Sequence, residues 1–263
     1  MKILTWNLNH RAGNTKVLPE VMEKIPGALA SLDADIIVLT EYVPNPKYHN
    51  QFEKDLKHRG FVDVLMSDHY GPEKDVHNRI LIASRIPLKK GNIKAPTNIV
   101  NGVPNNVFHV NVPKTGLGII GLRMPLSNEP KSVQIRKIKH PWWEWVAKTA
   151  RENINHPFIL IGDFNCDLAR MDDEDGKRLK DLSDEGWVHA IPMNSQYRSF
   201  YKNSESTGST IDHAFLSPDL VLKKAEYILE NNSYHFAKHE KAMSDHAVLR
   251  VEFDLPDKSE DSI

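Results

Sequence analysis

Nine short runs rich in Ile, Val and Leu set what this chain can fold into. They are 2–8 (KILTWNL), 34–43 (ADIIVLTEYV), 61–66 (FVDVLM), 79–84 (RILIAS), 106–112 (NVFHVNV), 116–124 (GLGIIGLRM), 158–164 (FILIGDF), 211–217 (IDHAFLS) and 247–253 (AVLRVEF). Apolar runs of this length and composition read as strands. Only 106–112 and 247–253 alternate apolar with polar residues, which predicts one solvated face for each. The others are continuous, which predicts strands covered on both faces. Helical periodicity is confined to a few segments. Val17, Val21, Ile25 and Leu29 share a side within 16–32, where Pro26 predicts strain. Ile135, Ile138, Trp142, Trp145 or Val146, and Thr149 do so within 132–154, where Pro141 predicts a bend. Weaker helices fit 51–60 and 174–186, each ending at Gly. Strands outnumber helices without strict alternation, which predicts mixed β-sheets with helices on the outside.

No repeat or Pro/Gly/Ser-rich linker divides the chain, so 1–255 reads as one domain and 256–263 (PDKSEDSI) as a polar tail. A net charge of −1 over 263 residues argues against a protein that coats long nucleic acid by charge. It leaves open a small site acting on a phosphate ester. The single cysteine, Cys166, excludes an intramolecular disulfide and fits a reducing compartment. No apolar run reaches the length of a membrane span, and strand-like sequence starting at Lys2 leaves no room for a signal peptide. The expectation is a soluble, cytoplasmic monomer with no membrane partner, with a mature secreted form whose signal has been removed as the alternative.

Trp142, Trp143 and Trp145, downstream of Lys131, Arg136, Lys137 and Lys139, could stack nucleic-acid bases. Tryptophans at helical spacing are more often a core-facing stripe, and such charges a solvated face; that reading is preferred. The acidic run at 171–178 reads likewise as a solvated helix start.

The strand candidates share one chemical peculiarity: their ends are polar. The first delivers Asn7 and Asn9, the second Glu41, and FILIGDFN delivers Asp163 and Asn165. Two further strands begin with Asp212 and His213, and with Asp245 and His246. Each alone is explained by a turn or a solvated strand tip. Together, carboxylates, carboxamides and an imidazole brought to one rim suit hydrolysis of a phosphate ester. Hard oxygen ligands suit Mg²⁺, a carboxylate can orient and deprotonate water, and a protonated histidine can stabilise phosphate oxygens. Neither a zinc-type ligand pattern nor a Gly-rich phosphate loop is present in the sequence.

The motifs WNLN, LTEY, SRIPL, GDFN, STIDHAFLS and SDHAVL, in that order over nearly the whole chain, resemble the endonuclease/exonuclease/phosphatase superfamily. That superfamily includes exonuclease III-type nucleases, deoxyribonuclease I, sphingomyelinases and inositol polyphosphate 5-phosphatases. The resemblance implies an α/β fold, a four-layer α/β/β/α sandwich of two packed mixed sheets flanked by helices. It implies Glu41 as the principal Mg²⁺ ligand (Mn²⁺ being a substitute), helped by Asn7 and Asp245. Asp163 would activate the attacking water, with Asn165 at the phosphate; His246 would contact the phosphate, held protonated by Asp212. Asn9 takes a supporting role at metal or phosphate. Arg79 reads either as a substrate contact or as an ordinary surface arginine, and Gly162 as the residue that lets the backbone turn into the site. Arg123 stands where many relatives carry Tyr or His. It can neutralise phosphate oxygens but not deliver a proton, so Arg123→Ala should lower rate rather than metal affinity.

These residues imply a Mg²⁺-dependent phosphodiesterase, with a nuclease acting on DNA, rather than RNA, as the first reading. Arg198, with the aromatic and hydroxyl residues around it in 197–217, suits nucleic-acid contact. The alternatives are an enzyme acting on a phospholipid or phosphorylated inositol and a non-catalytic binding module of the same fold.

Overall fold

The computed structural model describes residues 1–9, 19–69, 78–99, 103–125, 139–167, 169, 174–194, 196–204 and 206–256. All nine runs form strands. In the first sheet these are β1 (Lys2–Asn7), β2 (Ile36–Tyr42), β3 (Asp63–Met66), β4 (Arg79–Ser84) and β14 (Val248–Asp254), joined at the edge by β11 (Val221–Ile228) in the order β11-β14-β1-β2-β4-β3. The second contains β5 (Lys89–Lys90), β6 (Val107–Val112), β7 (Leu117–Arg123), β8 (Phe158–Asp163), β9 (Val188–His189) and β10 (Asp212–Leu216), in the order β5-β6-β7-β8-β10-β9. A small hairpin pairs β12 (Glu230–Asn231) with β13 (Tyr234–His235). Both sheets are mixed: β1 runs parallel to β2 and β7 parallel to β8, and the other pairs are antiparallel.

The continuous apolar runs are explained by what covers them. In β1, Ile3 faces the second sheet and Leu4 the helices; in β8, Ile159 and Ile161 face the first sheet while Leu160 faces outward. Between the sheets Ile36, Val38, Ile80 and Ile82 pack with Val110, Ile119, Ile159 and Ile161. Gly121 allows this approach, since a Cβ there would lie 2.7 Å from Val38 and 2.8 Å from Ile80. Helices α1 (Pro19–Ala30) and α2 (His49–His58) cover the first sheet with Met22, Ile25, Leu29, Phe52 and Leu56. Helices α3 (His140–Asn153) and α4 (Glu174–Asp184) cover the second with Trp142, Trp143, Val146, Leu179 and Leu182. The result is the four-layer α/β/β/α sandwich, with apolar side chains alternating between an inter-sheet core and two outer cores.

The tryptophan stripe faces the core: Trp142 and Trp143 are buried, and half-buried Trp145 packs against the same cluster. Pro141 lies in the first turn of the described helix α3, where its missing N–H is not needed; residues 132–138, on the other side of the expected bend, lie outside the described residues. Pro26 is accommodated inside α1. The solvated face expected of 106–112 is absent, because residues 91–93 lie over it and Ile93 N–H donates to buried His109 Nδ1 at 3.2 Å. Gly162 is no turn either. It lies within β8 at φ 144°, and a Cβ there would fall 2.0 Å from the Leu122 carbonyl oxygen in β7. Lys131, Ile135, Arg136, Lys137, Ile138, part of the acidic run at 171–178 and the tail beyond 256 lie outside the described residues. No helix among the described residues is long and apolar enough to cross a membrane.

Candidate active site

The two sheets bring their polar strand ends to one cleft of about 320 Å³. Asn7, Asn9, Glu41, Arg123, Asp163, Asn165, Asp245 and His246 line it, with Asp212 directly behind His246. Arg79 and Arg198 are not in this lining. Arg79 Nη2 donates to the Ser67 carbonyl, beside Tyr42 in the β2–β4 ladder, and Arg198 Nη1 donates to the Tyr197 carbonyl at 3.1 Å.

Asp163 is fixed from three sides. Its Oδ1 accepts Asn165 N–H at 2.8 Å; its Oδ2 accepts Asn7 Nδ2 at 2.9 Å and Asn165 Nδ2 at 3.1 Å. Asn165 Nδ2 also donates to the Met124 carbonyl at 2.7 Å. The Asn165 amide therefore holds the Asp163 carboxylate rather than offering its N–H groups to a phosphate. Asn9, Glu41 and Asn165 have φ of 49°, 55° and 48°, a left-handed conformation enriched at functional sites in non-glycine residues. Burial first, then the neighbouring Asp212 carboxylate, push the Asp163 carboxyl up to about 6 against the pull of His246 and Arg123.

His246 Nδ1 donates to Asp212 Oδ2 at 2.8 Å, and both side chains are buried. Burial alone would push the imidazole toward neutrality. The Asp212 carboxylate, helped by Asp163 and Asp245, outweighs it, raising His246 to about 9 and leaving an imidazolium at neutral pH. Phe200 flanks the ring at 5.1 Å between centroids, and Trp6 Nε1 donates to the His246 carbonyl at 2.8 Å, tying the histidine to β1. Asn9 Nδ2 donates to Asp245 Oδ2 at 2.8 Å, and Ser244 Oγ to the Asn7 carbonyl at 2.7 Å.

Two contributors are not among the site residues expected from the sequence. Asp167 adds a carboxylate to the cleft, its Oδ1 accepting Ala169 N–H at 3.0 Å. Lys139 is buried, not solvated: its Nζ donates to the carbonyls of Asn165 at 2.9 Å and Phe164 at 3.4 Å. A lysine at the N-terminus of α3 opposes the helix dipole, and its place there is explained by the Phe164 and Asn165 carbonyls that it binds. Trp143 of the same helix packs on Phe164 at 5.9 Å.

A family model described as the Endonuclease/Exonuclease/phosphatase family matches residues 4–246, a span that includes every residue of this cleft. The chain belongs to that family. Members of the endonuclease/exonuclease/phosphatase family hydrolyse phosphate esters. Among solved structures, the chain is similar to the 3′ phosphatase NExo from Neisseria bound to product DNA hairpin, at 22% identity and TM-score 0.69, covering 97% of this chain and 99% of that one. It is similar to an AP endonuclease from Archaeoglobus fulgidus at 18% identity and TM-score 0.69, covering 97% and 100%. A mannosyl-6-phosphatase from Bacteroides thetaiotaomicron follows the same fold at 20% identity and TM-score 0.64, covering 97% and 100%. At these identities the likeness establishes the fold. No curated protein matches the sequence.

The cleft fits a hard divalent ion. Five carboxylates, Glu41, Asp163, Asp167, Asp212 and Asp245, face two cations, Arg123 and His246. Buried Asp212 Oδ1 has no hydrogen-bond partner. Among the described residues no group of three or more His, Cys, Asp or Glu side chains is placed to enclose an ion. A site built from Glu41, Asp245 and the Asn7 carboxamide oxygen matches Mg²⁺, which uses one or two carboxylates and keeps several waters.

Proposed function

We propose that the protein is a divalent-metal-dependent phosphodiesterase, Mg²⁺ being the natural ion and Mn²⁺ a substitute, with DNA as its substrate. The observation that carries the reaction is the pairing, in one cleft, of a carboxylate fixed by two carboxamides with an imidazolium fixed by a second carboxylate. A metal ion held by Glu41, Asp245 and Asn7 would supply positive charge at the phosphate oxygens. Asp163 orients the attacking water and takes its proton as the water oxygen bonds to phosphorus and the ester P–O bond breaks. The His246 imidazolium donates from Nε2 to a non-bridging oxygen, while Asp212 keeps the proton on Nδ1. The departing oxygen draws its proton from solvent. Support for DNA comes from relatives of the same fold: an AP endonuclease, and a phosphatase bound to a DNA hairpin.

Asp167 favours a second reading. A carboxylate on the rim repels a second phosphate but accepts hydroxyl groups, as a phosphorylated sugar would offer. One of the similar structures is a mannosyl-6-phosphatase. The deciding experiment incubates the protein with plasmid, single-stranded DNA, RNA, bis(p-nitrophenyl) phosphate and hexose phosphates, with Mg²⁺ or EDTA. Mg²⁺-dependent cleavage of DNA, lost in Asp163→Asn and His246→Ala, is the expected result. Turnover of monoesters alone selects the second reading, and no turnover of any ester leaves a binding module.

A further inference from the structure

Arg123 and Glu41 come from different sheets and meet in the cleft. Arg123 closes β7, and its Nε donates to Glu41 Oε1 at 2.6 Å, with side chains 20% and 8% exposed. Glu41 is the carboxylate assigned above to the divalent ion. A guanidinium does not give up its charge under any ordinary condition. A fixed positive charge therefore occupies one oxygen of the group to which a second positive charge must bind. Arg123 is also the register partner of Asp163 in the parallel β7–β8 ladder, and its side chain lines the cleft. Released from Glu41, it would remain beside the place where the water-activating carboxylate meets the substrate.

We propose that Arg123 is an internal counter-ion of the metal site. It neutralises Glu41 when no divalent ion is bound, lowers the affinity for that ion, and on displacement is delivered to the substrate phosphate. Metal and phosphate binding then reinforce each other, because the ion frees the fork that grips the phosphate. This reverses the expectation from sequence that Arg123→Ala leaves metal affinity untouched. It rests on the reading of Glu41 as a metal ligand.

The test is isothermal titration of Mn²⁺ into wild type, Arg123→Met, Arg123→Gln and Glu41→Gln, with inorganic phosphate as the second ligand and a thermal melt of each variant. Without phosphate, Arg123→Met should bind Mn²⁺ about tenfold tighter or more, since a neighbouring like charge is removed. Once loaded with Mn²⁺ it should bind phosphate about tenfold more weakly than loaded wild type. An ion pair that only braces the two sheets would lower the melting temperature and leave Mn²⁺ affinity unchanged or weaker, which overturns the proposal. If Arg123→Met does not fold, Arg123→Gln, which removes the charge but keeps a polar side chain, must still show tightening. Mn²⁺ binding that is lost in Glu41→Gln but equal in wild type and the Arg123 variants refutes this inference alone. Wild type and Glu41→Gln that both fail to bind Mn²⁺ refute the metal-site reading as well.

Discussion

Asp163 and Asp212 are direct cross-strand partners, the last residue of β8 opposite the first of β10, so two buried carboxylates share one rung of the ladder. Their surroundings separate their roles. Asp212 spends an oxygen on His246, while Asp163 is surrounded by carboxamide and backbone N–H donors and is pushed up to about 6. One carboxylate is paired with a cation; the other, raised toward neutrality, suits the base role proposed for it.

Asp212→Asn removes the charge that outweighs burial of His246. Wild-type His246 keeps its proton up to about pH 9, so activity that needs the imidazolium persists below that value and falls as pH rises through it. In the variant, burial dominates, and the alkaline limb of the pH–rate profile should move toward or below the ordinary histidine value of 6.5. An unmoved limb would show that another group sets it.

Asp163→Asn should reduce the rate by about 10²–10⁴-fold, the usual contribution of a positioned base. The melting temperature should change little, because relief of one of two like charges buried on a shared rung is offset by an amide Nδ2 set against N–H donors. Kinetics and a thermal melt on the same sample check both halves, and a large loss of stability contradicts the like-charge argument.

Lys139→Met should leave the Asn165 and Phe164 carbonyls without their ammonium, at a cost of about 1–3 kcal/mol in unfolding free energy. The turn that carries Asn165 loosens, so kcat should fall more than KM rises. Denaturant titration and steady-state kinetics measure the two. Full activity together with lowered stability would confine Lys139 to holding the fold.

His189 and His213 make the fold acid-sensitive. His213 Nε2 lies 2.9 Å from the Cys166 carbonyl and so carries the proton; its Nδ1 then accepts from His189 Nε2 at 3.1 Å. Burial first, then the neighbouring imidazole, push His189 down to about 3, and burial lowers His213 as well. The unfolded chain therefore binds more protons below the ordinary value of 6.5, and stability drops as pH falls from there toward about 3. The slope approaches about 1.4 kcal/mol per pH unit for each such proton. His189→Phe, placed where the ring already stacks on Phe215 at 4.3 Å, should flatten the dependence between pH 7 and 5. An equally steep slope would assign the effect to other groups.

The fold was legible where a run's burial matched its pattern. Strand β2 is buried throughout, as its continuous apolar sequence implied. Strand β11 was missed because VLKKAEYI sits at a sheet edge, where Lys223, Lys224 and Glu226 are tolerated, and an irregular register between Leu222 and Lys224 disturbs its period. Strands β5, β9, β12 and β13 have two residues each and carry no pattern. The cleft was legible because its groups sit at strand ends. Lys139 was not, since burial of a lysine depends on carbonyls 25 and 26 positions away in the chain. The partner of Arg123, 82 positions away, was equally hidden.

The hydrogen bond Asn7–Asp163 runs from the first sheet to the second, and His246–Asp212 runs to the second from the segment that leads into β14. They make the cleft a gauge of how the two halves of the sandwich are aligned. A slip of about one ångström between the sheets would leave every strand intact and still break both bonds. Catalytic rate should thus be the earliest reporter of damage to the apolar interface, and residues as distant as Gly121 belong to the enzyme's tolerances as much as to its core.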